Sequence, residues 1–295
     1  MSCAVFGFAG EDAASTRLAR ALGIAHHAVA VRHFPDGESL VRIEPSPATA
    51  LLYRSLDHPN AKLIEILLAA SALRDNGATR VVLVAPYLAY MRQDTAFHSG
   101  EAVNQRVIGH LLAGAFDALL TLDPHLHRTH SLNAIMPGIE AVSVSAAPIL
   151  ATAIDKSGDP LLVGPDGEAR QWVERIADRL GLEFILGKKQ RDGDRTVHIA
   201  IPDAERAQGR RAILVDDLIS SGGTLLAAAQ CLGDAGASSI EALATHCLAG
   251  EADLAQLRAA GLAPIRATDS VAGSAGILPI AELLAEQIRS CRWCS

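Results

Sequence analysis

The chain has 295 residues, enough for two α/β domains of similar size, each with a sizeable core. It is 49% hydrophobic but only 4% aromatic, with a formal net charge of −7. That balance speaks against aromatic platforms for bases and against a cationic nucleic-acid footprint, so the expected partner is a small molecule.

No run reaches the roughly 18 apolar residues of a membrane span. The first apolar run, Cys3 to Ala9, is short and unflanked for a signal peptide. Five cysteines, Cys3, Cys231, Cys247, Cys291 and Cys294, lack framework spacing. Together these features imply a cytoplasmic protein with free thiols and no membrane association.

In chain order, Ala4 to Phe8 reads as a strand, Asp12 to Leu22 as a helix, and His27 to Arg32 as a strand entering a turn, Phe34-Pro-Asp-Gly-Glu38. Leu40 to Ile43 and Leu51 to Leu56 are extended, and Ala61 to Asp75 carries the apolar face of a buried helix. Val81 to Pro86 and Ala118 to Leu122 are continuous apolar strands joined by a helix, Ala102 to Ala113. Each strand ends in polar residues able to reach a ligand, in 87–101 and 123–128. The second half opens near Ser145, which suggests domains at 1–144 and 145–295 without a flexible linker. Ala147 to Ile154 is helical, Leu161 to Val163 a strand closing on Gly164-Pro-Asp-Gly167, and Glu168 to Leu180 a helix. Strands follow at Glu183 to Leu186, Thr196 to Ile201, Arg211 to Val215, Ile240 to Cys247 and Ile265 to Asp269. A charged, Gly-containing loop, Lys188 to Arg195, precedes the second of them, and Ile280 to Ile288 is a closing helix. Strands alternating with amphipathic helices in both halves are the pattern of mostly parallel sheets flanked by helices.

The most informative stretch is Ile213-Leu-Val-Asp-Asp-Leu-Ile-Ser-Ser-Gly-Gly-Thr-Leu225. Asp216 and Asp217 fall at the carboxyl end of a buried strand, where open α/β sheets bind ligands, and two carboxylates there suit the vicinal hydroxyls of a ribose. Ser220, Ser221, Gly222, Gly223 and Thr224 then offer hydroxyls and backbone N–H groups to a 5-phosphate at a helix start. The run resembles the phosphoribosyl-diphosphate-binding motif of the type I phosphoribosyltransferase superfamily, which includes enzymes that consume the activated ribose and enzymes that make it.

A complete first half calls for a second substrate. Pro86-Tyr87, Arg92-Gln93-Asp94, Phe97 and Gly100-Glu101 resemble the ATP-holding loop of ribose-phosphate diphosphokinases, and Phe34, Asp36 and Glu38 resemble their adenine-reading turn. The resemblance runs from Phe34 to beyond Asp269. It implies two phosphoribosyltransferase-like domains binding Mg-ATP between the halves and ribose 5-phosphate on the second, with transfer of the diphosphoryl group to the anomeric hydroxyl. It further implies Lys189 and Arg191 as the catalytic cations, Arg92, Gln93, Asp94 and His125 on the nucleotide, and His125 with Asp166 at magnesium-associated positions. His127 is a secondary candidate. In the family the adenine-reading turn reaches into a neighbouring subunit's ATP site, which implies at least a dimer. Ser220 stands where many members have aspartate, closer to archaeal-type members, and Asp166 to Arg170 departs from the usual Gly-rich continuation. The alternatives are a phosphoribosyltransferase that needs no ATP and a catalytically silent regulatory subunit, which would be expected to lose the paired acids or the Lys189/Arg191 segment.

Overall fold

The computed structural model describes residues 2–44, 47–126, 128–129, 131–192, 196–273, 275 and 277–294. The chain forms two compact units: Met1–Val144 with Ile280–Ser295, and Ser145–Pro279.

The first unit contains β1 (Cys3–Phe8), α1 (Asp12–Leu22), β2 (Ala25–His33), β3 (Ser39–Arg42), β4 (Thr49–Tyr53), α2 (Pro59–Asp75), β5 (Arg80–Ala85), α3 (Asn104–Ala115), β6 (Ala118–Leu122) and β7 (Glu140–Val144). They form a seven-stranded sheet in the order β3-β2-β1-β4-β5-β6-β7. Every neighbouring pair is parallel except the β2–β3 hairpin. The burial pattern explains this arrangement. Every residue of β4 and β6 is buried, as central parallel strands covered on both faces require. β2 exposes much of its length and lies next to the edge strand β3. Helix α1 stops at Gly23, whose φ of 71° gives the left-handed turn that caps a helix carboxyl end.

The second unit contains α4 (Ala147–Thr152), β8 (Leu161–Gly164), α5 (Arg170–Leu180), β9 (Phe184–Leu186), β10 (Lys188–Asp192), β11 (Thr196–Ala200), β12 (Arg211–Ile219), α6 (Gly223–Asp234), β13 (Ser239–Cys247), α7 (Glu251–Ala259), β14 (Leu262–Thr268) and β15 (Ile277–Leu278). Six strands form a parallel sheet in the order β15-β14-β13-β12-β8-β9. Strands β10 and β11 form a separate antiparallel pair.

Three expectations are corrected. The closing helix, α8 (Ala281–Ser290), turns Leu284, Ala285 and Ile288 inward and packs on α1 and β7 of the first unit, so residues 280–295 leave the second domain. Trp293, 1% exposed, fixes that return by donating its indole N–H to Glu140 at 2.7 Å. The segment expected as a charged loop is strand β10, paired across Lys189↔Ile199 and Arg191↔Val197, because β11 carries the buried Ile199 and brings a partner strand alongside it. Finally, Cys3 and Cys294 form a disulfide rather than two free thiols, since β1 and the chain end meet in the same unit.

Candidate active site

In the second unit the site grows out of β12 and the start of α6. Strand β12 runs buried through Ala212 to Val215 and delivers Asp216 and Asp217 at its carboxyl end. Asp217 is buried and donates its backbone N–H to Asp216 Oδ1 at 3.0 Å. Asp166 follows β8, which pairs with β12, and its carboxylate accepts the Glu168 N–H at 2.9 Å. Burial, then the charge of Asp217, then that of Asp166 push the Asp216 carboxyl well above the usual carboxylate range. Such crowding favours a proton or a cation at this edge.

A cavity of about 340 Å³ opens beside Asp216, lined by Ser220, Ser221, Gly222, Gly223 and Thr224. Gly222 has a φ of 79°, and a Cβ there would stand 2.8 Å from the Leu257 side chain. Only glycine meets both conditions, and it lets the chain turn tightly into α6. The first N–H groups of that helix have no acceptor within it, so they are available to an anion.

Ile199 of β11 is also in the cavity wall. Its carbonyl accepts the Cys231 thiol at 3.2 Å, which holds the β10–β11 hairpin to α6. Lys189 lies opposite Ile199, a residue of the cavity wall, in the strand register. Gly193 of the charged segment and His127 fall outside the described residues, as do the side chains of Lys189 and Arg191.

In the first unit the adenine-turn candidates sit on the five-residue loop of the β2–β3 hairpin. The loop is closed by Phe34 N–H to Glu38 O at 2.8 Å and Gly37 N–H to Phe34 O at 3.0 Å. Asp36 Oδ1 accepts the Glu38 N–H at 3.1 Å, and the Arg32 guanidinium stands 5.1 Å from the Phe34 ring centroid. The segment after β5 carries Arg92 on its surface and Gln93 partly covered. Glu101 braces it by accepting from Phe97 N–H and His98 Nδ1, both at 2.8 Å, and from Gln93 Nε2 at 3.4 Å. Asp94 does something the sequence did not indicate: it accepts Arg128 N–H at 3.0 Å and its guanidinium at 2.8 Å. Desolvation opposes that ionisation, but the Arg128 bonds prevail and hold the carboxyl below its usual range. Asp94 thus ties its segment to the one after β6, where His125 is half-buried. Among the described residues, no three His, Cys, Asp or Glu side chains are placed to hold a metal by themselves.

Comparison with known proteins places these observations. Residues 3–115 match a family model described as the N-terminal domain of ribose phosphate pyrophosphokinase, and residues 129–269 match the phosphoribosyl transferase domain. The chain is 34% identical over 281 residues to the ribose-phosphate pyrophosphokinase of Methanopyrus kandleri, covering 93% of this chain and 94% of that one. It is 36% identical over 219 residues to the Pyrococcus abyssi protein of the same name, covering 74% and 75%. The crystal structure of phosphoribosylpyrophosphate synthetase from Mycobacterium smegmatis superposes with a TM-score of 0.84 at 25% identity, covering 99% of both chains. No helix among the described residues is long and apolar enough to cross a membrane.

Proposed function

This chain belongs to the ribose-phosphate pyrophosphokinase family, and from that membership and the site above we infer how its residues divide the reaction. It is an enzyme that transfers the diphosphoryl group of ATP to ribose 5-phosphate. The anomeric oxygen bonds to the β-phosphorus, the bond from that phosphorus to the α–β bridging oxygen breaks, and AMP leaves with 5-phosphoribosyl 1-diphosphate as product.

Asp216 and Asp217 accept the ribose hydroxyls, and the Ser220 to Thr224 turn takes the 5-phosphate. The cavity beside Asp216, opening onto the start of α6, is the single observation that carries this assignment. Lys189 and Arg191 offset the negative charge that builds on the transferring group, where positioning and electrostatics do most of the catalysis. Arg92, Gln93 and His125 hold the nucleotide phosphates, and Asp94 shapes their segment through Arg128. Phe34, Asp36 and Glu38 read adenine in the site of a second copy of the chain, so the working unit is at least a dimer.

Magnesium suits the crowded carboxylates Asp166 and Asp216, whose mutual repulsion a hard cation relieves. Among the described residues no three such side chains are grouped to hold a metal, so Asp166 and Asp216 would hold such an ion together with phosphate oxygens and water. When bound it neutralises phosphate charge. Imidazole is a poor magnesium ligand, so the part of His125, whose position is magnesium-associated in the family resemblance, is on the nucleotide phosphates.

The test is AMP release from Mg-ATP with and without ribose 5-phosphate, run beside Lys189→Ala. AMP that depends on the sugar phosphate and falls at least roughly a hundredfold in the variant supports the reading. ADP in place of AMP overturns it.

A further inference from the structure

Outside the residues already assigned, the first unit holds a chain of polar contacts running from the adenine-turn hairpin into the core. His33 is the last residue of β2, directly before Phe34, and pairs with Ser39 across the hairpin. Its Nε2 lies 3.0 Å from Glu65 Oε1. Glu65 is on α2, and its carboxylate is 4% exposed. Its other oxygen accepts the Arg54 guanidinium, and Arg54 in turn stacks 4.2 Å over the Phe8 ring.

Both oxygens of one buried carboxylate are therefore committed, one to the root of the hairpin and one to the end of β4. The Arg54 side is structural: a buried arginine needs its carboxylate. The His33 side is different. The His33 side chain is 59% exposed, so removing it takes no apolar packing from the core and lets water reach the Glu65 oxygen it leaves. Its partner nevertheless fixes the residue immediately before Phe34. Among the described residues, the five-residue loop is otherwise held by its own backbone bonds, by Asp36 and by the Arg32 contact with Phe34.

We propose that His33 is a positioning residue for nucleotide binding, holding the adenine-reading turn in its binding geometry through Glu65. The proposal rests on the assignment of Phe34, Asp36 and Glu38 to adenine. A free loop must lose conformational freedom when it closes on a ligand, whereas an anchored one has lost it already. Nothing in this role touches the transferring phosphoryl group or the sugar phosphate.

The experiment is steady-state AMP formation by the full-length protein as wild type, His33→Ala, His33→Gln and Phe34→Ala. His33→Ala leaves Glu65 paired with Arg54, so it should fold; its thermal melt is measured alongside. The expected result is a rise in KM for ATP of roughly three- to tenfold, the scale of one lost hydrogen bond. kcat and the KM for ribose 5-phosphate should stay within about twofold of wild type. His33→Gln, which keeps a donor near the Nε2 position, should recover most of the loss. A general structural defect would lower kcat as well and would not be rescued by glutamine.

An unchanged KM for ATP in His33→Ala, or no recovery in His33→Gln, overturns the proposal. If Phe34→Ala also leaves that KM unchanged, the adenine-turn assignment is what failed; if Phe34→Ala raises it and His33→Ala does not, the anchor alone is wrong. Wild type that forms no AMP with ribose 5-phosphate defeats the functional reading itself.

Discussion

Asp216 shows most directly the stability that the proposed sugar-phosphate site costs the fold. Burial and two neighbouring acids raise its carboxyl, so the folded protein keeps a proton that the unfolded chain releases. Its contribution therefore makes stability fall as pH rises from the ordinary carboxylate range through the raised value, after which the cost stays constant. Asp216→Asn keeps the shape and removes the repulsion. In urea melts without ligand the variant should gain roughly 1 kcal/mol at pH 8 and almost nothing at pH 4, while its KM for ribose 5-phosphate rises at least tenfold. Equal midpoints at pH 8 would show that the crowding carries no free energy. Gly222 gives a second residue-scale expectation. Alanine there meets an unfavourable φ costing about 1–2 kcal/mol, with a contact against Leu257 in addition. The thermal midpoint should drop, and the affinity for ribose 5-phosphate should drop with it because the same turn aims the N–H groups of α6; loss of stability with unchanged affinity would detach the turn from phosphate binding. These residues were legible in the sequence because strand, paired acids, hydroxyls and Gly-Gly-Thr are contiguous. Arg128 was not, since its partner Asp94 lies 34 residues away.

At the scale of elements, the first sheet reverses its order between β1 and β4, the position where open α/β sheets usually leave a ligand crevice. Here the crevice holds ion pairs. Glu11, just after β1, takes the Ser55 N–H at 3.0 Å and Lys62 Nζ at 3.2 Å, and Lys62 also reaches Asp57 at 2.6 Å. These contacts link α1, the end of β4 and α2 across sequence distances of 44 and 51 residues, which is why no local pattern announced them. The nucleotide candidates come instead from the segments after β5 and β6 and from the β2–β3 hairpin. Desolvation raises the Glu11 carboxyl, with Lys62 and Arg54 partly offsetting it. Lys62→Met removes the larger offset and leaves a buried acid poorly paired, so it should cost about 2–3 kcal/mol at pH 8. The sign follows from the raised value: the variant's deficit grows as pH climbs above 4.5, because ionising Glu11 then becomes dearer in the folded state. Melts at pH 5 and pH 8 test this, and a deficit that is larger at pH 5 contradicts it. The β10–β11 pair departs from expectation for a related reason: a run of charged residues looks like a solvated loop until its partner strand, β11, lies alongside it.

For the whole molecule, the two halves were legible because each repeats the alternation of apolar strands and amphipathic helices. The return of 280–295 to the first unit was not, because the apolar stripe of α8 shows that the helix packs without showing on what. The same return explains the Cys3–Cys294 disulfide, whose partners are 291 residues apart in sequence and adjacent in the unit. The first unit is thus discontinuous: its core is complete only when the last residues come back to α1, β1 and β7. A cross-link closing so long a loop removes much of the freedom of the unfolded chain, worth about 6 kcal/mol in the chain-entropy account before any strain in the folded state. In the oxidised protein, Cys294→Ser should therefore lower the thermal midpoint by several degrees and make α8 the first element to lose amide protection. Adding a reductant should bring the wild type down to the variant and leave the variant unmoved, which separates the bond from any packing change at residue 294. The cavity proposed for ribose 5-phosphate is lined by residues of the continuous second unit, so Cys294→Ser should leave affinity for that substrate unchanged below the melting range. A variant that melts with the wild type under oxidising conditions would mean that Trp293, Glu140 and the α1–α8 packing hold the chain end without the bond.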